Sequence, residues 1–145
     1  MPEATEPIVR EIDIAAEMDT VFEFFVDPEK LTRWLAVAAT LDPRPGGVCH
    51  QVHEGAPGQG PFHMEGEFVE VDPPKRVVFT WGFVEPGPGV APGTSTVEVT
   101  LSPLDSGTRV RLVHCGLPSA AFGDHSGGWT TMLDRLSRAA EKEDR

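Results

Sequence analysis

The chain has 145 residues, enough for one domain that buries roughly 70% of the surface its unfolded form exposes. Twelve Lys plus Arg against twenty-three Asp plus Glu leave a formal net charge of −11, which repels phosphate backbones and anionic bilayers and excludes nucleic acid and membrane as partners. Cys49 and Cys115 are the only cysteines and lack CxxC spacing, so neither a disulfide framework nor a zinc site is expected.

The first seven residues hold two glutamates and no apolar run, unlike a signal peptide, and no stretch approaches the roughly 20 apolar residues a membrane span needs. The expectation is a cytoplasmic protein with a disordered tail over 1–7, one domain over 8–141 and a frayed end over 142–145. Ile8, Arg10, Ile12 and Ile14 alternate with Val9, Glu11 and Asp13, the period of a strand. Met18, Val21, Phe22 and Phe25 then recur at helical spacing. Asp27 reads as an N-cap with Pro28 at the first helical position, opening a second short helix whose buried face is Leu31, Trp34 and Leu35.

From Val37 the pattern becomes a meander. Strands are predicted over 37–41, 48–53, 63–71, 76–82, 96–101 and 108–115, with turns at 43–47, 72–75 and 105–107 and a loose loop at 55–61. Residues 86–93 hold three prolines and three glycines, too broken for a strand, and are predicted to form a mobile loop. Val97, Val99 and Leu101 face inward opposite Val110 and Leu112. Trp129, Met132, Leu133, Leu136 and Ala140 lie at helical spacing, so the chain closes with one long amphipathic helix. Gly127 and Gly128 read as glycines at its approach, and Val84, Val90 and Phe122 as exposed residues available for a homodimer contact; the chain is otherwise a monomer.

Asp27-Pro28-Glu29-Lys30-Leu31-Thr32-Arg33-Trp34, the Pro45-Gly46-Gly47 turn, the run from Gly66 to Trp81, Thr108-Arg109-Val110, His114 with Gly116-Leu117-Pro118, and Gly128-Trp129 stand in order along the chain. Together they resemble the family named after the C-terminal domain of the activator of heat-shock protein 90 ATPase, within the START-like (SRPBCC) helix-grip superfamily. The resemblance implies an α+β helix-grip fold: a curved seven-stranded antiparallel sheet around the last helix, with two short helices after the first strand and a hydrophobic cavity between sheet and helices. Relatives bind lipids, hormones and polyketides, some cyclise or hydrolyse their ligands, and the namesake stimulates a chaperone ATPase. The namesake's separate N-terminal domain has no counterpart in these residues, which speaks against co-chaperone activity. Leu35 stands where many relatives carry a second tryptophan.

His114 is in register with Val110 and Leu112 and should point to the concave side of the sheet. It is either a histidine satisfied by a backbone carbonyl or helix residue or a group that orients a ligand or moves a proton. Glu65 and Glu67 share a face with Val69 and Val71, so the carboxylates point inward if those valines do, with Arg10, Arg33 and Arg76 as candidate partners. The alternative is a bulge or twist that turns them to solvent. The five histidines show no HxxxH or HExxH spacing, and no metal or cofactor is expected.

The preferred reading is a binding domain for a hydrophobic or aromatic small molecule, lined by Trp34, Glu67, Trp81, Val99, Leu112, His114, Trp129 and Leu133, with no catalytic residue assigned. The second is an enzyme using His114 with Glu65 or Glu67 on a cyclic or ester-like ligand. The third is a stress-response module whose partner is a chaperone.

Overall fold

The structure, a computed structural model, describes residues 6–55 and 58–144. Of the predicted tail, residues 1–5 lie outside the described residues, and Glu6 and Pro7 are exposed. Strand β1 (Ile8–Ile14) is followed by α1 (Met18–Val26) and α2 (Pro28–Leu31). The meander then runs through β2 (Ala38–Leu41), β3 (Val48–His53), β4 (Phe62–Asp72), β5 (Arg76–Trp81), β6 (Ser95–Leu104) and β7 (Gly107–Cys115) to the long helix α3 (Ser119–Glu143).

These strands form one antiparallel sheet in the order β1-β7-β6-β5-β4-β3-β2. Each hairpin places neighbours in sequence beside one another, and only β1 crosses to pair with β7. Register sets Val99 opposite Leu112, Leu101 opposite Val110 and Val97 opposite His114, so one face of β6 and β7 is continuously apolar but for that histidine. Against this face lies the buried stripe of α3: Trp129, Leu133, Leu136 and Ala140. The Asp27 carboxylate accepts from the N–H groups of Glu29 and Lys30 at 2.9 and 3.3 Å, which satisfies donors at the start of α2 as its sequence predicts.

The start of the last helix and the exposure of Val90 and Phe122 differ from expectation. Helix α3 begins at Ser119, ten residues before its apolar stripe, so Gly127 and Gly128 lie inside it. Residues 86–93 form a loop, as the sequence predicts, anchored where Val90 is buried and its carbonyl accepts from Phe83 N–H at 2.7 Å. Val90 is therefore core rather than a dimer contact, and Phe122 packs half-buried against the core, while Val84 is exposed. Of residues 142–145, Lys142 and Glu143 lie in or at the end of α3 and Asp144 accepts from Thr20 Oγ1 at 2.9 Å, while Arg145 lies outside the described residues.

Candidate functional site

The wide end of the grip, between β3–β5 and the first half of α3, gathers aromatic rings and histidines. Along β3 the residues Cys49, Gln51 and His53 share the inward face, β5 ends on Trp81, and Phe83 follows it. From α3 come His125 and Trp129, four residues apart and so on one helical face. The rings of Trp81 and Trp129 stand 5.3 Å apart. His53 meets Trp81 and Phe83 edge-on at 5.3 and 5.5 Å, within the range favoured by aromatic pairs.

Hydrogen bonds fix how these rings lie. Trp129 Nε1–H donates to His114 Nδ1 at 2.9 Å, and His114 Nε2 lies 2.9 Å from Ser95 Oγ, whose hydroxyl donates to the Trp81 carbonyl at 2.7 Å. A neutral His114 carrying its proton on Nε2 satisfies every one of these contacts. Trp81 Nε1–H donates to His125 Nε2 at 3.2 Å, leaving Nδ1–H of His125 to donate to the Ala121 carbonyl at 2.9 Å. His53 Nε2 lies 2.8 Å from Gln51 Oε1 and donates to it. Both indoles are thus held by a histidine, one from the sheet and one from the helix.

Burial keeps these imidazoles uncharged. Loss of water lowers the pKa of His53 to about 4 and that of His114 to about 3, with repulsion from His125 adding to each. His125 is lowered by burial too, opposed by its bond to the Ala121 carbonyl and by the charge of Asp124. Such shifts follow from placing a cation where water cannot solvate it.

Above the network opens a pocket of about 690 Å³, within the size range of small-molecule sites. Its apolar wall is Leu35, Phe62, Trp81, Phe83, Trp129 and Met132; His53, His125, Gln59, Glu54 and Asp124 supply its polar groups, and Gly87, Pro88 and Gly128 complete it. Gly128 gives the helix a side-chain-free spot there, and a Cβ at this position would meet nothing within 4 Å. Among the described residues no group of three or more His, Cys, Asp or Glu side chains is placed to hold a metal. Cys49 is buried and its thiol pushed up to about 12, which leaves it protonated and inert.

Of the residues expected to line a ligand site, the structure brings Trp81 and Trp129 to the pocket wall. His114 lies just beneath it, buried and bonded through both ring nitrogens. Val99, Leu112 and Leu133 pack into the core under the second half of α3 and do not reach the pocket. Trp34 is also core: it meets Phe25 edge-on at 5.1 Å, and its Nε1–H donates to the Phe24 carbonyl. Glu67 is turned to the opposite face. Met64, Gly66 and Phe68 are the buried positions of β4, and a register irregularity between Phe68 and Glu70 carries Val71 to a half-buried position while Val69, Glu65 and Glu67 stay exposed.

The pairing of His114 with Glu65 or Glu67 is therefore not assembled. Nor do the candidate arginines meet those glutamates: Arg76 binds Glu70 and Glu98, Arg33 binds Glu29 and Glu143, and Arg10 donates to Ser126 and Thr130. Sequence reasoning missed His53, Phe62, Phe83, His125 and Met132 as wall residues. For His125 the signal was its four-residue spacing from Trp129, hidden because the helix was started too late.

Residues 15–141 match the model of the family described as activator of Hsp90 ATPase homolog 1-like protein. No curated protein matches the chain. Among solved structures, an AHSA1-like protein from Rhizobium etli is 38% identical with a TM-score of 0.71, over 97% of this chain and 84% of that one. A protein from Mesorhizobium loti superposes with a TM-score of 0.81 at 22% identity, over 97% of this chain and all of that one. DynU16, a protein of the dynemicin biosynthetic locus, gives 0.77 at 22% identity, over 97% of this chain and 49% of that one. The last two likenesses show the helix-grip fold, and the family match spans nearly the whole sheet and helix: the chain belongs to the activator of Hsp90 ATPase homolog 1-like family.

Proposed function

We propose that this protein binds a small apolar or aromatic molecule at the wide end of the grip, without transforming it. The observation that carries this reading is the 690 Å³ pocket walled by Trp81, Trp129, Phe62 and Phe83, whose indole N–H groups are already bonded to histidines. Because those donors are satisfied within the protein, the rings offer faces and edges rather than unmet polar groups, and a ligand gains mainly by burying apolar surface. His53 keeps one ring nitrogen beyond its bond to Gln51, a point at which a ligand donor can be oriented. The occurrence of the same fold in a protein of a biosynthetic locus is consistent with handling a small molecule.

The test uses thermal shift over a set of uncharged bicyclic aromatic compounds, with Gly128→Leu as the control. Leucine at 128 fills the pocket from the helix side, where the backbone leaves open space. A ligand at 100 times its Kd stabilises the fold by about 2.7 kcal/mol, a readily measured rise in Tm, and the Gly128→Leu protein should show none of it. Absence of any shift across the set, or equal shifts in both proteins, sinks the reading.

A further inference from the structure

We propose that the pocket is selective for an organic cation, an ammonium group carried on an apolar or aromatic body. This rests on the binding reading above and narrows it to a chemical class. Four aromatic rings, Phe62, Trp81, Phe83 and Trp129, form the wall, and two carboxylates, Glu54 after β3 and Asp124 on α3, stand in the lining from different elements. No lysine or arginine lines the pocket among the described residues.

An anionic ligand would bring its charge towards two carboxylates with no cation to receive it, in a chain whose net charge is already −11. An uncharged ligand would use the rings and leave the carboxylates idle. A cation uses both, through the negative faces of the rings and through Coulomb attraction to Glu54 and Asp124. The charge of Asp124 is felt inside the site, since it acts on the ring of His125 beside it. His53 and His125, held neutral by burial, present no opposing charge.

Three probes of one shape separate the possibilities by titration calorimetry at pH 7.5 and low salt: 1-naphthylmethylammonium, 1-naphthalenemethanol and 1-naphthoate. The ammonium should bind about tenfold more tightly than the alcohol, and the carboxylate most weakly. In Glu54→Gln and Asp124→Asn, both exposed positions whose replacement leaves the core intact, the advantage of ammonium over alcohol should shrink towards one. Raising salt should shrink it likewise. Equal binding of alcohol and ammonium, or tighter binding of naphthoate, overturns the cation class and leaves the pocket reading standing. Failure of all three probes to bind, or binding unchanged by Gly128→Leu, overturns both.

Discussion

His114 shows how a single polar side chain can be structural in the middle of an apolar face. Its two ring nitrogens join β7 to α3 through Trp129 and to β6 and β5 through Ser95, so the histidine sets the angle of the indole that forms the pocket wall. Replacing it with leucine strands the Trp129 N–H in a dry site, while the Ser95 hydroxyl keeps its bond to the Trp81 carbonyl, and an unmet buried donor costs about 1–3 kcal/mol. His114→Leu should therefore lower the unfolding free energy in urea by about 1–3 kcal/mol. His114→Gln, which keeps an acceptor and a donor, should lose less. Equal losses in the two variants would count against the hydrogen-bond account and in favour of packing alone.

At this scale the sequence was legible where side-chain period and register agree. Alternation from Val110 through Leu112 correctly points His114 inward, and Trp81 follows in the same way from Val77 and Phe79. For Glu67 the sequence leaves two readings open, inward with Val69 and Val71 or turned to solvent by a bulge, and the structure takes the second: Glu65, Glu67 and Val69 share an exposed face, while the irregularity after Phe68 brings Val71 to a half-buried position. A bulge leaves no mark in composition, so period-two reasoning groups these residues without fixing which face they take. His53 was overlooked for another reason: it ends its strand, where inward direction is fixed only by the pairing of β3 with β4.

Among the elements, α3 departs most from its ideal. Gly123, Gly127 and Gly128 fall in its first half, where each weakens a helix by roughly 1 kcal/mol relative to alanine. The glycines made the segment read as an approach rather than as helix, which is why its start was placed too late. Propensity was overridden by tertiary contacts, Ala121 and Trp129 being buried on the two sides of the glycines. A Cβ at Gly127 meets nothing within 4 Å, so Gly127→Ala should stabilise the protein by about 0.5–1 kcal/mol and leave pocket binding unchanged, since Gly127 is not part of the wall. A loss of stability on chemical denaturation would show that the helix needs flexibility there. The short α2 depends instead on its cap, and Asp27→Ala should cost about 1 kcal/mol, read as a lower urea midpoint with an unchanged slope.

For the whole molecule, the three histidines of the site link the fold to pH. In the unfolded chain each takes up a proton near its ordinary pKa of about 6.5. In the folded chain His53 does so only near pH 4 and His114 near pH 3, and His125 is lowered in the same direction. Between these limits the unfolded state binds more protons, so stability rises with pH. Their contribution is whole above about pH 6.5 and is lost progressively as pH falls towards 4. The carboxyls of Asp13 and Glu85, held below their usual range by bonds from Arg109 and from His63, add their own loss only as pH approaches about 4, which leaves the window above about pH 5 to the histidines. Urea midpoints measured at pH 7.5, 6.5, 5.5 and 4.5 should therefore fall steadily below 6.5, and His114→Gln should show a shallower fall than the parent. A midpoint flat from 7.5 to 4.5 would mean that the wide end of the grip admits water freely enough to solvate charged imidazoles, and the dry, ring-walled site inferred from the fold would go with it.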